Sequence, residues 1–220
     1  MKRLLAIVLM VGSCAWATAQ TPPAPNAEAL ARALQQRYQT ITDFSADFVH
    51  TYRGGVLRTQ TSERGTVKVK KPGKMRWVYT APEPKEFVSD GVKIYSHIPQ
   101  DRQVLVSPMP ADGDASTPAL FLSGKGDIVR DFTAAIVESP VAGAVGLKLT
   151  PKKAEAQYDY FVVATSQPGL QIRALATRDR QGGDSVITFM NLKENQGITD
   201  KEFAFRIPKG ADVITNGAGN

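Results

Sequence analysis

One stretch of the chain constrains the fold more than any other, because apolar and basic residues alternate along it from position 67 to 79. The apolar positions are Val67, Val69, Met75, Trp77 and Tyr79, and the positions between them carry Lys68, Lys70, Lys74 and Arg76. Successive side chains of a strand point to opposite faces, so the pattern predicts strands on both sides of the Pro72-Gly73 break, with one apolar and one basic face. The large aromatic rings indicate a wide apolar surface that must be filled, either as core or as the wall of a cavity.

Lys71 breaks the alternation, because its parity places a cation on the apolar face. A cation at the rim of an apolar surface can donate hydrogen bonds to exposed backbone carbonyl groups, for example at the end of a covering helix. We therefore expect Lys71 to hold such a helix shut, with a packing role as the alternative. The basic residues on the opposite face have two interpretations: they dock an acidic partner or an anionic lipid, or they are a solvated face whose lysines discourage aggregation.

The rest of the chain predicts a mainly β fold preceded by one helix. Asn26 can cap a helix that runs to about Gln39. Short apolar runs separated by turn signals then predict strands at 44–52, 56–71, 75–79, 86–88, 93–97, 103–106, 132–138, 146–150, 158–164, 171–177, 185–193 and 203–206. Gly54-Gly55 is expected to form the first hairpin turn. So many consecutive strands with such short connections imply an antiparallel meander.

A short apolar helix is expected in the middle of the chain. Threonine and proline at 117–118 form a helix start, and Gly124 ends the segment. Leu120, Phe121 and Leu122 are three bulky apolar residues in a row, and a helix of barely two turns cannot turn all three toward one core. We therefore expect this helix to cover an apolar cavity.

The first 19 residues have the features of a cleaved secretory signal. A basic start at Lys2 and Arg3 precedes an apolar run that is too short to span a membrane, and a small-residue cleavage site ends at Ala19. The alternative is a lipidated N-terminus at Cys14, because the residues around it loosely resemble a lipoprotein processing box. We expect cleavage after Ala19 and a single domain over 20–220.

Composition and residue spacing argue against several classes of function. The formal charge of +6 falls to +4 without the signal, which is far from the clustered charge of a nucleic-acid binder. His50 and His97 lack ligand-spaced partners, and nothing marks Asp43 and Asp47 as an acid–base pair. The only cysteine lies in the signal, and no Gly-x-Ser-x-Gly motif occurs. We expect no enzyme activity, no metal and no cofactor; an enzyme acting on lipids is the disfavoured alternative.

Several motifs occur in the order typical of one known family. They are Lys71-Pro72-Gly73-Lys74-Met75-Arg76-Trp77-Val78-Tyr79, Ser89-Asp90-Gly91, Phe44-x-Ala46-x-Phe48, Thr117-Pro118-Ala119-Leu120-Phe121-Leu122 and Phe203-x-Phe205-x-Ile207-Pro208-Lys209-Gly210. Together they resemble the periplasmic outer-membrane lipoprotein carrier family, over nearly the whole mature chain. The resemblance implies an incomplete antiparallel β-barrel, mainly β with some helices, whose apolar concave face is covered by short lid helices.

The resemblance also implies a function. Such a carrier accepts acylated lipoproteins from an inner-membrane ATP-driven transporter, shields their acyl chains in the periplasm and passes them to an outer-membrane receptor. We expect a monomer that binds no nucleic acid. A lipid-anchored outer-membrane receptor or an envelope-stress lipid sensor of the same fold is the alternative.

We expect particular residues to carry this function. The residues expected to contact acyl chains or to form the lid are Phe48, Tyr52, Met75, Trp77, Tyr79, Leu120, Phe121 and Leu122. Lys71 is the expected lid latch. The family commonly has arginine at this position, and lysine offers a point charge with three donors instead of a planar fork.

Overall fold

The computed structural model describes residues 26–54, 60–110, 118–154, 158–179 and 182–216. The expected signal, Cys14 and part of the first hairpin turn lie outside these residues. The helices are α1 (Ala27–Gln39), α2 (Pro118–Leu122) and α3 (Ile128–Asp131). The strands are β1 (Asp43–Arg53), β2 (Gln60–Lys70), β3 (Lys74–Ala81), β4 (Lys85–Asp90), β5 (Lys93–Ile98), β6 (Gln103–Pro108), β7 (Phe132–Val137), β8 (Ala144–Pro151), β9 (Phe161–Ser166), β10 (Ile172–Arg178), β11 (Asp184–Glu194) and β12 (Asp212–Thr215).

The twelve strands of the described residues form one open sheet, and this arrangement confirms the predicted fold class. The order across the sheet is β12-β6-β5-β4-β3-β2-β1-β11-β10-β9-β8-β7, so two meanders meet where β1 pairs with β11. Every described pair is antiparallel except β12 with β6, which is parallel. Because β12 and β7 lie at opposite edges of this order, the curved sheet does not close on itself.

The alternation around Pro72-Gly73 appears in the structure as predicted. Across the β2–β3 ladder Val67 lies opposite Trp77 and Val69 opposite Met75, and all four side chains are buried. Basic residues lie opposite one another on the other face in the same register. We call the apolar side the inner face and the basic side the outer face.

The core lies between the inner face and the helices. Asn26 caps α1 through its side-chain oxygen, as predicted, and α1 buries Ala31, Leu34 and Tyr38. Large apolar residues from the sheet complete this core, including Phe48, Phe161 and Phe189. The short α3 is an element that the sequence pattern did not predict, and Asp127 caps it.

The predicted strand at 203–206 is wrong. Residues Asp200–Phe203 form a 3-10 helix instead, and the following residues cross the outer face without joining the sheet. The apolar residues of this segment alternate as in a strand, but their side chains pack against the sheet instead of extending it. Phe203 is 1% exposed, and Phe205 stacks on Tyr95 with 5.1 Å between ring centroids. The last described strand lies farther along the chain, at β12.

This C-terminal segment also explains the basic outer face. Asp200 pairs with Lys70 and Lys74 at 2.7 and 2.6 Å, and Glu202 pairs with Lys68 at 2.5 Å. Hydrogen bonds from the two lysines lower the pKa of Asp200 to about 2. The chain itself therefore supplies acidic partners for the basic run, which is neither of the two interpretations drawn from the sequence.

Candidate functional site

An apolar cleft of about 420 Å³ lies between the inner face of the sheet and α2. It is lined by Met75, Trp77, Tyr79, Phe87, Ile94, Ser107, Pro108, Pro110, Ala119, Leu120 and Ile187. Most of these side chains are apolar. A cleft of this size and character is typical of sites for apolar ligands.

Aromatic packing beside the cleft fixes the orientation of its wall. Phe48 on β1 makes edge-to-face contacts with Trp77 and Tyr79, at 5.1 and 4.8 Å between ring centroids. Such geometry is preferred by aromatic pairs and resists rotation of the rings. The buried indole N–H of Trp77 has no hydrogen-bond partner among the described residues. The predicted residue Phe48 therefore contacts two residues of the cleft wall but does not line the cleft itself.

Of the three predicted residues of α2, one faces the cleft and two lie on the opposite side of the helix. Leu120 lines the cleft, whereas Phe121 stacks on Tyr38 with 5.1 Å between ring centroids, and Leu122 lies beside Ile41 and Phe44. All three residues of the run are nonetheless buried in one continuous core. The expectation that a single core could not take all three is therefore wrong, because the curved sheet and α1 surround α2 on more than one side.

The C-terminal end of α2 is held by hydrogen bonds from two other parts of the fold. The Tyr38 hydroxyl donates to the carbonyl of Leu122. The backbone N–H of Gly73, in the turn between β2 and β3, donates to the carbonyl of Ser123 at 2.8 Å. Ser123 in turn donates its hydroxyl to the carbonyl of Leu120 at 2.7 Å. The last carbonyl groups of the helix are therefore satisfied.

Lys71 contacts this same anchoring point. Its ammonium donates to the carbonyl of Tyr38 and lies 3.3 Å from the centroid of the Tyr38 ring. Its aliphatic stem packs against Gly124, where an added Cβ would lie only 3.0 Å from the lysine Cδ. Burial lowers the pKa of Lys71 to about 8, while the Glu194 carboxylate acts in the opposite direction. Lys71 therefore binds a carbonyl in the last turn of α1. The same residue, Tyr38, connects α1 to α2 through its hydroxyl bond to Leu122.

Tyr52 is the predicted residue that lies apart from the cleft. Its hydroxyl donates to Asp179 at 2.9 Å near the end of β1. It borders a different cleft, of about 360 Å³, together with residues such as Arg53, Tyr160 and Arg178. Tyr52 and Phe48 have the same parity in β1, so the sequence predicted that both face the cleft. However, β1 is long enough to extend beyond the part of the sheet that the helices cover.

A polar group at the edge of the apolar cleft was missed by the sequence reasoning. We call His50, Glu63, Lys85 and Ser185 the rim cluster. Glu63 lies 2.6 Å from the Lys85 ammonium and 3.3 Å from His50 Nδ1, and His50 Nε2 lies 2.9 Å from the Ser185 hydroxyl. Burial is the main cause of the lowered pKa of His50, which Glu63 opposes. The four residues come from four strands, so no local spacing could have indicated them.

The described residues offer no metal site, since they contain no group of three His, Cys, Asp or Glu side chains arranged to hold an ion. Among the same residues, no helix combines the length and the hydropathy needed to cross a bilayer.

A family model described as outer membrane lipoprotein carrier protein LolA matches residues 39–206. The chain belongs to the LolA family. An outer-membrane lipoprotein carrier protein of Chromohalobacter salexigens is 34% identical over 194 residues, which cover 87% of this chain and 88% of the relative. Another carrier protein of this name, from Dechloromonas aromatica, is 32% identical over 162 residues, or 74% and 75% of the two chains. LolA proteins are periplasmic chaperones of lipoprotein transport.

A solved structure with low sequence identity shares the fold. An uncharacterized conserved protein from Thermus thermophilus aligns with a TM-score of 0.53 and 13% identity, over 84% of this chain and 99% of that one. A LolA superfamily protein from Nitrosomonas europaea aligns with a TM-score of 0.46 and 12% identity, over 83% and 99%. At 13% identity, the similarity to the Thermus thermophilus protein concerns the fold alone. Membership of the LolA family rests on the sequence matches.

Proposed function

We propose that this LolA-family chain is a non-enzymatic periplasmic carrier, which shields the acyl chains of lipoproteins in the cleft under α2. The observation that carries the proposal is the apolar cleft itself, with Met75, Trp77 and Tyr79 on one wall and Leu120 on the other. Burial of each methylene is worth about 0.8 kcal/mol, so acyl chains need such a surface in order to cross an aqueous compartment. A wall built from aromatic and thioether side chains adapts to varied chains.

The carrier cycle we infer has three partners. Acylated lipoproteins are the cargo, an inner-membrane ATP-driven transporter loads it and an outer-membrane receptor accepts it. The protein acts as a monomer, without nucleic acid or cofactor. Lys71 acts as the latch of α2, and its contact with the Tyr38 carbonyl, together with the Tyr38 bond to Leu122, supports this role.

Titration of the mature protein with a synthetic acylated lipopeptide tests the carrier function. We expect saturable binding that weakens at least tenfold in Trp77→Glu, because the substitution places a charge in the apolar wall. Thr80→Glu is the matched control, since it adds the same charge to an exposed position of β3. Ala119→Trp gives a second test that keeps the core intact, because the added ring fills the cleft and should compete with the chains.

Two results would reject this function. One is the absence of saturable uptake by the wild-type protein. The other is uptake that is unaffected by both Trp77→Glu and Ala119→Trp. Mass spectrometry of the mature N-terminus separates the soluble carrier, which begins at Gln20, from the alternative of a lipid-anchored receptor with an acylated Cys14.

A further inference from the structure

The rim cluster borders the apolar cleft on the same inner face of the sheet. The Lys85 ammonium lies 4.4 Å from the centroid of the Tyr79 ring, and the His50 and Tyr79 ring centroids are 6.3 Å apart. Tyr79 itself lines the cleft, and so does Ile187, which lies opposite His50 across the β1–β11 ladder. One end of the apolar surface is therefore bounded by charged and polar groups.

Contacts with the described residues leave one hydrogen-bond donor of Lys85 unused. Lys85 carries three N–H donors, and its contacts with Glu63 and with the face of the Tyr79 ring use two of them. His50 and Ser185 add an imidazole and a hydroxyl group, while Glu63 supplies the only carboxylate of the cluster. The remaining N–H of Lys85 suits a ligand group that accepts a hydrogen bond.

Charge balance favours a neutral acceptor over an anion. The Glu63 carboxylate compensates the Lys85 ammonium directly, at 2.6 Å. Burial lowers the pKa of His50, so its imidazole is mostly neutral at pH 7. The side chains of His50, Glu63 and Lys85 are only 18 to 24% exposed, and in such surroundings a hydrogen bond to a neutral carbonyl is stronger than in water.

We propose that the rim cluster binds the ester carbonyl oxygens at which acyl chains join the polar part of the cargo. The apolar cleft takes the chains, and Lys85 and Ser185 donate to the linkage. This rests on the proposed carrier function and deepens it, because it makes the carrier selective for ester-linked acyl groups over bare alkyl chains. The position of the cluster beside Tyr79 also orients the cargo, with its polar part at this end of the cleft.

The bonding pattern of Ser185, His50 and Glu63 has the connectivity of a hydrolytic triad, so binding must be distinguished from catalysis. Two features favour binding. Glu63 is held closely by Lys85, whereas its distance to His50 Nδ1 is 3.3 Å, outside a well-formed hydrogen bond. The lowered pKa of His50 also makes its imidazole a weaker base.

A matched pair of ligands tests the proposal. One is a diacylglyceryl lipopeptide, and the other is its dialkyl ether analogue, which has the same chain length and peptide but lacks the carbonyl oxygens. We expect the wild-type protein to bind the ester at least tenfold more tightly, as one hydrogen bond from a charged donor would give. Lys85→Met should remove most of this preference while leaving the affinity for the ether within about twofold.

Two further variants complete the design. Ser185→Ala should reduce the ester preference partially, and Lys93→Met, at an exposed position of β5, should leave it unchanged. Equal affinity of the wild type for ester and ether would overturn the proposal, and so would a preference that survives in both Lys85→Met and Ser185→Ala. Release of fatty acid from the ester that stops in Ser185→Ala would overturn it in favour of catalysis. Failure of both ligands to bind the wild type would reject the carrier function as well.

Discussion

Lys71 places a cation at the contact between α1 and the end of α2, where burial lowers its pKa to about 8. The ammonium reaches one carbonyl and one aromatic face of the same residue, Tyr38. Arginine at this position could donate to two acceptors from its planar fork. The proposed latch therefore depends on contacts with one residue, Tyr38, and the effect of removing the Lys71 side chain should be measurable.

We predict that Lys71→Leu accepts cargo but releases it about tenfold more slowly. The contact of Lys71 with the Tyr38 carbonyl stabilises the closed, empty protein, and a hydrogen bond from a charged donor is worth roughly 1.5–3 kcal/mol. Loss of this contact shifts the balance toward the loaded state. Transfer of a fluorescent lipopeptide to acceptor vesicles measures the effect, with Lys71→Arg as the control that keeps a donor. Unchanged transfer would leave Lys71 with only a packing role.

At the scale of elements, α2 illustrates how tertiary contacts stabilise a helix too short to persist alone. Its five residues are far below the length at which isolated helices become stable. Three buried side chains and the bonds to its terminal carbonyls hold it in place. Because its anchoring groups belong to α1 and to the β2–β3 turn, any displacement of α2 would break contacts with both elements.

Removal of one hydroxyl group should loosen this helix. Tyr38→Phe keeps the ring stacked on Phe121 but leaves the buried Leu122 carbonyl without its donor, so we expect a loss of roughly 1–3 kcal/mol in the free energy of unfolding. Urea denaturation measures it. Tyr95→Phe is the control, because its hydroxyl bonds to Asp90 at the surface, where water can replace it. Equal losses in the two variants would show that the bond from Tyr38 to α2 contributes no more to stability than the surface bond of Tyr95.

At the scale of the whole molecule, the C-terminal segment ties the outer face to the edge of the sheet. It begins with the ion pairs of Asp200 and Glu202, buries Phe203 and ends in β12, which pairs with β6. Exposed ion pairs contribute little on average, whereas a fully buried aromatic side chain contributes several kcal/mol. Phe203 should therefore be the main anchor of this segment.

We predict that Phe203→Ala destabilises the protein by roughly 3–5 kcal/mol and that the amides of β12 then exchange much faster than those of β1. Asp200→Asn should leave β12 protected at pH 7, although its ion pairs with Lys70 and Lys74 are lost. Hydrogen exchange followed by mass spectrometry distinguishes the two variants. If Asp200→Asn exposes β12 as much as Phe203→Ala does, the ion pairs hold the segment and our ranking is wrong.

The alternation at 67–79 determined by itself that β2 and β3 have one apolar and one basic face, because side-chain direction in a strand depends only on parity. The family motifs likewise determined the fold class. Parity could not show where a strand extends beyond the core, so it did not predict that Tyr52 lies away from the cleft. It also predicted a strand at 203–206, where apolar residues pack on a sheet that they do not join.

Only the tertiary structure decided which groups meet. The bond from Lys71 to Tyr38 joins residues 33 positions apart, and the rim cluster gathers side chains from four strands between residues 50 and 185. The sequence placed Lys71 on the apolar face, but its partner depended on how α1 packs over the sheet. Strand direction is a local property of the backbone, whereas such contacts depend on sheet order and on the curvature that brings distant residues together.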